Sequence, residues 1–172
     1  MTERRRKGGG HVDYQHLSTL LWREQELLDL LLFKAEEKQY LILTGKTRWL
    51  ARIAHEIEVV LDQLRTLEVE RAAATEALAT RSGLGANPSL RQLAEVAPSP
   101  WTDIYAKHHE ALLLLVTELR SLSDANRELI EGGLAAIGDA LLSVKAPSAG
   151  TYGSTGRTAD ASHRAVTLDG AL

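Results

Sequence analysis

The stretch from Trp101 to Val144 constrains this chain more than any other, because it reads as one uninterrupted amphipathic helix. With Asn126 at zero and about 100° per residue, Trp101, Ile104, Tyr105, His108, Leu112, Leu115, Val116, Leu119 and Leu122 share one stripe. Leu129, Ile130, Gly133, Leu134, Ile137, Ala140, Leu141 and Val144 continue it. At about 1.5 Å per residue the rod is roughly 65 Å long, well beyond an average globular helix. Such a rod is stable in water only when its apolar stripe is covered. The upstream chain must supply that cover, and whatever stays uncovered is a docking surface. Asn126 sits at the centre of the stripe, where a buried asparagine fixes helix register at some cost in stability.

The second half of the rod carries Gly132, Gly133 and Gly138 together with Ala135, Ala136 and Ala140. An interior glycine costs up to about 1 kcal/mol relative to alanine, so the smooth edge these residues make needs a reason. Ile130, Leu134, Ile137 and Leu141 supply apolar contact beside it. Two readings stand: a helix end packed closely in its own bundle, or a loosely held helix that waits for a partner.

Upstream, the spacing predicts a helix from about Asp13 to Leu43, with Leu17, Leu20, Leu21, Leu27, Leu28, Leu31 and Ala35 on its apolar side. The run Leu30-Leu31-Leu32-Phe33 is apolar nearly all round and predicts a heavily buried middle turn. Gly45 is placed to end this helix and Thr47 to cap the next. So short a connection makes an antiparallel αα-hairpin. The second helix, about Thr47 to Ser82, carries a seam in alternating steps of three and four: Leu50, Ile53, Ile57, Val60, Leu64 and Leu67. Arg71 takes the next seam position, either at the exit to solvent or paired with a carboxylate such as Glu68. Between Gly83 and Pro100 the pattern lapses, save for a short helix at Ser89–Ala97 with Leu90, Leu93 and Val96 on its apolar side. The expected fold is all-α: an elongated antiparallel bundle of three long helices plus one short helix over residues 13–145. Residues 1–12 are expected as a disordered basic arm and residues 146–172 as a flexible tail.

Composition narrows the function classes. A net charge of −3 makes no electrostatic case for nucleic acid. The absence of cysteine excludes disulfides, thiol catalysis and cysteine-bound metals. No run is long and apolar enough for membrane insertion. Arg4-Arg5-Arg6-Lys7 leads into glycines rather than an apolar signal core, so a cytoplasmic protein is expected. With a single phenylalanine, the core is expected to be mainly aliphatic. In the tail, Tyr152 is the one large aromatic, either a short recognition element or an inert surface residue.

No catalytic constellation emerges. Inward Glu-x-x-His pairs of a di-iron bundle are missing. His108 and His109 are adjacent, hence on different helix faces, and His108 lies on the apolar stripe, where a core role outweighs a ligand role. No cofactor, no metal and no enzyme activity is expected.

Taken in order, the pieces resemble a known family. They are the leucine-rich first helix from Leu17-Ser18 to Leu43, Gly45-Lys46-Thr47-Arg48-Trp49-Leu50-Ala51 at the hairpin, and Leu64, Leu67, Glu70 and Arg71 closing the seam. Ser89-Leu90-Arg91-Gln92-Leu93-Ala94, Pro100-Trp101, Asn126-Arg127-Glu128-Leu129-Ile130, Thr151-Tyr152-Gly153 and Gly156 follow. This order resembles the FlgN family of flagellar export chaperones in an actinobacteria-like form; the basic arm, the turn around residues 84–100 and the tail beyond Gly156 depart from it. The resemblance implies a type III secretion chaperone that binds the C-terminal helices of hook–filament junction proteins, prevents their premature assembly and delivers them to the export gate. Under it, Asn126, Leu129, Ile130, Gly133, Leu134, Ile137 and Leu141 form the partner-binding surface. Tyr152 docks the cytoplasmic domain of the export gate. The alternative is a structural or regulatory coiled-coil protein acting by helix-mediated self-association. Oligomeric state is left open.

Overall fold

The computed structural model describes the backbone of residues 3–145 and the side chains of residues 12–142. Among them every regular element is helical: α1 (Glu3–Leu43), a 3-10 turn (Thr47–Trp49), α2 (Leu50–Ser82), α3 (Leu90–Val96) and α4 (Trp101–Lys145). The chain divides into two compact units, residues 1–134 and 135–172, with the boundary inside α4. No helix among the described residues is long and apolar enough to cross a membrane.

Glycine ends both helices of the hairpin. Gly45 adopts φ +66°, and the Gly45 and Lys46 amides donate to the Ile42 and Leu41 carbonyls at 3.1 and 2.9 Å. Gly83 adopts φ +70°, and the Leu84 amide donates to the Ala79 carbonyl at 3.0 Å. Both are left-handed terminations that reverse the chain while satisfying the last carbonyls, and a Cβ would strain the backbone at either. Thr47 does not cap α2. The chain instead enters through the 3-10 turn, and Trp49 stands at the cap position with no side-chain hydrogen bond. Ser89 does cap: its hydroxyl accepts from the Gln92 amide while the Gln92 side chain accepts from the Ser89 amide. That reciprocal pair lets so short a helix as α3 begin where it does. On the N-terminal side α1 runs on to Glu3, beyond the span its periodicity marks.

Three ion pairs set the register of the hairpin. Asp13 meets Arg81, Glu24 meets Arg71 at 3.1 Å, and Lys34 meets Glu56 at 2.7 Å. Their numbers climb on α1 and fall on α2, which makes the pair antiparallel. Arg71 thus pairs across the hairpin with Glu24 rather than Glu68. Burial pushes the Glu24 carboxyl up, with Arg71 opposing the shift and Glu68 adding to it. Along α4 the order is reversed. Tyr105 donates to the Tyr14 carbonyl at 2.9 Å, His108 bonds Ser18 at 3.0 Å, and Asn126 bonds the Ala35 carbonyl at 3.0 Å. In the first unit α4 therefore runs parallel to α1, giving an up–down–up bundle with α3 in the return connection.

The main core lies where that connection meets the hairpin ends. Leu17, Leu21, Leu78, Leu93, Trp101 and Tyr105 are buried together. Tyr14 stacks on Trp101 at 6.0 Å between ring centroids, and Tyr105 lies 6.1 Å from Trp101. The core is mainly aliphatic, as expected, and Trp101 and Tyr105 are its buried aromatics, while Trp22, Phe33, Tyr40 and Trp49 are exposed. On α3 the buried partners of Leu93 are Ala94 and Ala97, whereas Val96 is exposed. A second cluster, Leu20, Leu27, Val60 and Leu67, closes the hairpin seam. The apolar run of α1 is not buried all round. Leu31 packs against the seam, while Leu30 and Phe33 are exposed, because α2 and α4 together cover only part of the helix circumference.

A buried polar knot ties α4 to α1. The Gln25 amide nitrogen donates to His108 Nδ1 at 2.7 Å, which leaves the ring proton on Nε2 facing Ser18 Oγ, and Trp22 packs edge-on against the ring at 5.1 Å. Burial holds the imidazole below its usual pKa of 6.5. The folded state therefore binds this proton less readily than the unfolded chain, so the group favours folding above about pH 6.5 and loses that contribution as the pH falls. Glu24, whose pKa is raised from 4.5, acts in the opposite sense as the pH rises from there. Urea titrations should show wild type losing stability from pH 7.5 to pH 5.5, with a slope of at most about 1.4 kcal/mol per pH unit from one proton. His108→Gln should flatten that slope; an unchanged slope would place the titration elsewhere.

Candidate partner-binding surface

Cover on α4 runs out along its length. Trp101, Tyr105 and His108 are buried, Leu112, Leu115, Val116, Leu119 and Leu122 are half-buried, and Asn126 is the last buried side chain described on the helix. Beyond it the stripe opens. Leu129 is half-buried, Gly133 is exposed, and Ile130 and Leu134 are 36% and 65% exposed at the end of the first unit. In the second unit Ile137 and Leu141 are 60% and 58% exposed, with Leu142 beside them at 69%. Tyr152 lies outside the described residues.

The glycines fit the uncovered reading. A Cβ added at Gly132, Gly133 or Gly138 would meet nothing within 4 Å, so no close approach among the described residues demands them. Two open grooves line α4 in the first unit. One, of about 700 Å³, has a floor of Leu31, Ala35, Ile57, Leu61, Val116 and Leu119. The other, of about 630 Å³, lies between Leu43 of α1 and Leu129, Gly132 and Gly133.

Asn126 is the buried polar side chain lining the first of these grooves. Its Nδ2 donates to the Ala35 carbonyl, while Oδ1 is buried with no partner. The bond ties α4 to α1 at one height, as a register device should, but the orphaned acceptor carries a desolvation penalty of about 1–3 kcal/mol. The Ala35 carbonyl lies within the α1 ladder and does not depend on Asn126 alone. Asn126→Leu, of nearly the same shape, is therefore expected to raise the melting temperature by a few degrees, about 2–4 °C per kcal/mol at this chain length. It should also weaken discrimination between partner helices. A lower melting temperature would show that the Ala35 bond outweighs the orphaned oxygen.

Sequence reasoning placed His108 in the core but missed Ser18 and Gln25. They are one heptad apart on α1, on the same face as Leu21 and Leu28, and that spacing was the available signal. No group of His, Asp and Glu side chains among the described residues is arranged to hold a metal ion. The surface therefore offers apolar contact and a few polar anchors, which is the chemistry of helix recognition.

No curated protein and no solved structure matches this chain. The family model described as FlgN protein matches residues 13–160, which takes in α2, α3, α4 and nearly all of α1's packed length. With that match spanning most of the sequence and the helical bundle in place, the chain belongs to the FlgN family of flagellar export chaperones.

Proposed function

We propose that this chain captures the C-terminal helices of hook–filament junction proteins on the exposed stripe of α4, keeps them unassembled in the cytoplasm and delivers them to the type III export gate. Residues 13–145 form the partner-binding domain in this reading. Asn126, Leu129 and Gly133 border the stripe, and Ile130, Leu134, Ile137 and Leu141 are its anchors. The observation that carries the reading is the loss of cover along α4: the same apolar periodicity that is buried or half-buried up to Leu129 is exposed from Ile130 onward. An apolar helix laid on it covers both surfaces, and covering the partner's helix prevents its polymerisation. Isothermal titration of the full chain with the C-terminal helical segment of a junction protein tests it. Saturable binding supports the reading, and no binding at micromolar concentrations overturns it.

The export-gate contact falls to Tyr152 in this scheme, so capture and delivery use different residues and separate genetically. Tyr152→Ala should leave capture of the junction-protein segment within about 1 kcal/mol of wild type, the scale of truncations outside a hot spot. Export of the partner should fall. Loss of capture itself in Tyr152→Ala would assign the tail to the substrate site.

A further inference from the structure

The larger groove lies within the first unit and has a chemistry of its own. Its floor is aliphatic, and its rim carries Lys38, Arg120 and Arg127 against the single acid Glu131. Arg127 is already held by Asp124, whereas Lys38 and Arg120 have no carboxylate partner among the described residues. At the same groove stands Asn126, only 4% exposed, with its Oδ1 unpartnered. A buried acceptor without a donor is rare in a folded protein and marks a place where a missing partner belongs. Ile130 lines the end of this groove and is also the first anchor of the stripe proposed above.

We infer that the groove between α1, α2 and α4 is a second recognition site that seats the apolar face of an acidic amphipathic helix and matches a hydrogen-bond donor on that face to Asn126 Oδ1. This rests on the reading of the chain as a helix-binding chaperone and specifies which helices it accepts. The aliphatic floor takes the partner's apolar side chains. Lys38 and Arg120 favour a partner whose apolar face is flanked by Asp or Glu. Asn126 favours a Ser, Thr, Asn or Gln on that face over an aliphatic residue, because only a donor relieves the buried oxygen. In this inference the asparagine sets partner specificity as well as bundle register.

The test uses the full chain and the C-terminal helical segment of a junction protein as probe, with affinity measured at low and high salt. Lys38→Glu/Arg120→Glu should weaken binding about tenfold or more and remove most of its salt dependence. Asn126→Leu should weaken it about tenfold, the scale of one buried hydrogen bond, without unfolding the chain. Leu134→Glu/Ile137→Glu reports on the stripe separately. If that stripe variant loses the probe while both groove variants bind like wild type, the groove inference is overturned and the chaperone reading stands. If the wild-type chain does not bind the probe at all, both fail. If sedimentation shows the chain alone to be a dimer that Lys38→Glu/Arg120→Glu disperses, a second copy occupies the groove and the inference is overturned.

Discussion

Tyr105→Ala is expected to destabilise the bundle by about 3–5 kcal/mol, the range for truncating a large buried aromatic. For a chain of this length that lowers the melting temperature by roughly 10 °C. The ring is fully buried at the junction of α1, α3 and α4, packed with Leu17, Leu93 and Trp101, and its hydroxyl donates to the Tyr14 carbonyl at 2.9 Å. Burial also pushes the phenol well above its ordinary pKa, so it stays a neutral donor throughout the physiological range. Tyr105→Phe separates the two contributions. It keeps the packing and removes the hydrogen bond, and should cost about 1 kcal/mol. Chemical denaturation of the two variants decides the matter: if Tyr105→Ala costs no more than Tyr105→Phe, this cluster does not anchor α4.

Under the proposed function, that anchoring lets one helix serve two purposes. Near Trp101, α4 is held by aromatic packing, by the Tyr105 hydrogen bond and by the knot of Ser18, Gln25 and His108. Near its far end in the first unit, the described side-chain hydrogen bond holding it to α1 is that of Asn126. Stability concentrated at one end leaves the other free to exchange solvent for a partner helix. This matches the general pattern in which binding segments come from the weakly held part of a fold.

The helices themselves were legible because their signals are local. Periodicity of 3.6 marked the stripe of α4, and Gly45 and Gly83 marked the ends of the hairpin helices. Leu90 and Leu93 marked the short α3, whose capping box between Ser89 and Gln92 is a finding of the structure. Pairings across the bundle were less legible, because they depend on register. Arg71 read equally well as solvent-exposed or paired with Glu68, and only the antiparallel register brings Glu24 opposite it. The apolar run at Leu30–Phe33 implied full burial, yet a helix touched by two neighbours leaves part of its circumference to water, and Leu30 and Phe33 fall there. For the binding surface, the sequence located an unusual smooth apolar edge without saying whether the bundle itself filled it. The open space around Gly132 and Gly133 favours a surface that the bundle leaves free. The groove beside Asn126 had no sequence signature, since its walls come from three helices far apart along the chain.

Leu134→Glu/Ile137→Glu should abolish capture of a junction-protein helix while leaving the bundle folded. Leu134 and Ile137 are 65% and 60% exposed, so replacing them removes little buried surface from the free chain. Exposed substitutions of this kind usually change stability by no more than about 0.5 kcal/mol, and glutamate keeps good helix propensity. In the complex proposed above the same positions are apolar anchors, so each introduced carboxylate would have to be desolvated against the partner's apolar face. At about 2 kcal/mol or more for each anchor, the double variant binds roughly a thousandfold more weakly. Two measurements on one preparation are sufficient: far-ultraviolet circular dichroism with a thermal melt, and titration with the junction-protein segment. A wild-type melt with lost binding places the substrate on this stripe. Undiminished binding by the folded variant would move the substrate surface off Leu134 and Ile137 and leave their exposure without a role in capture.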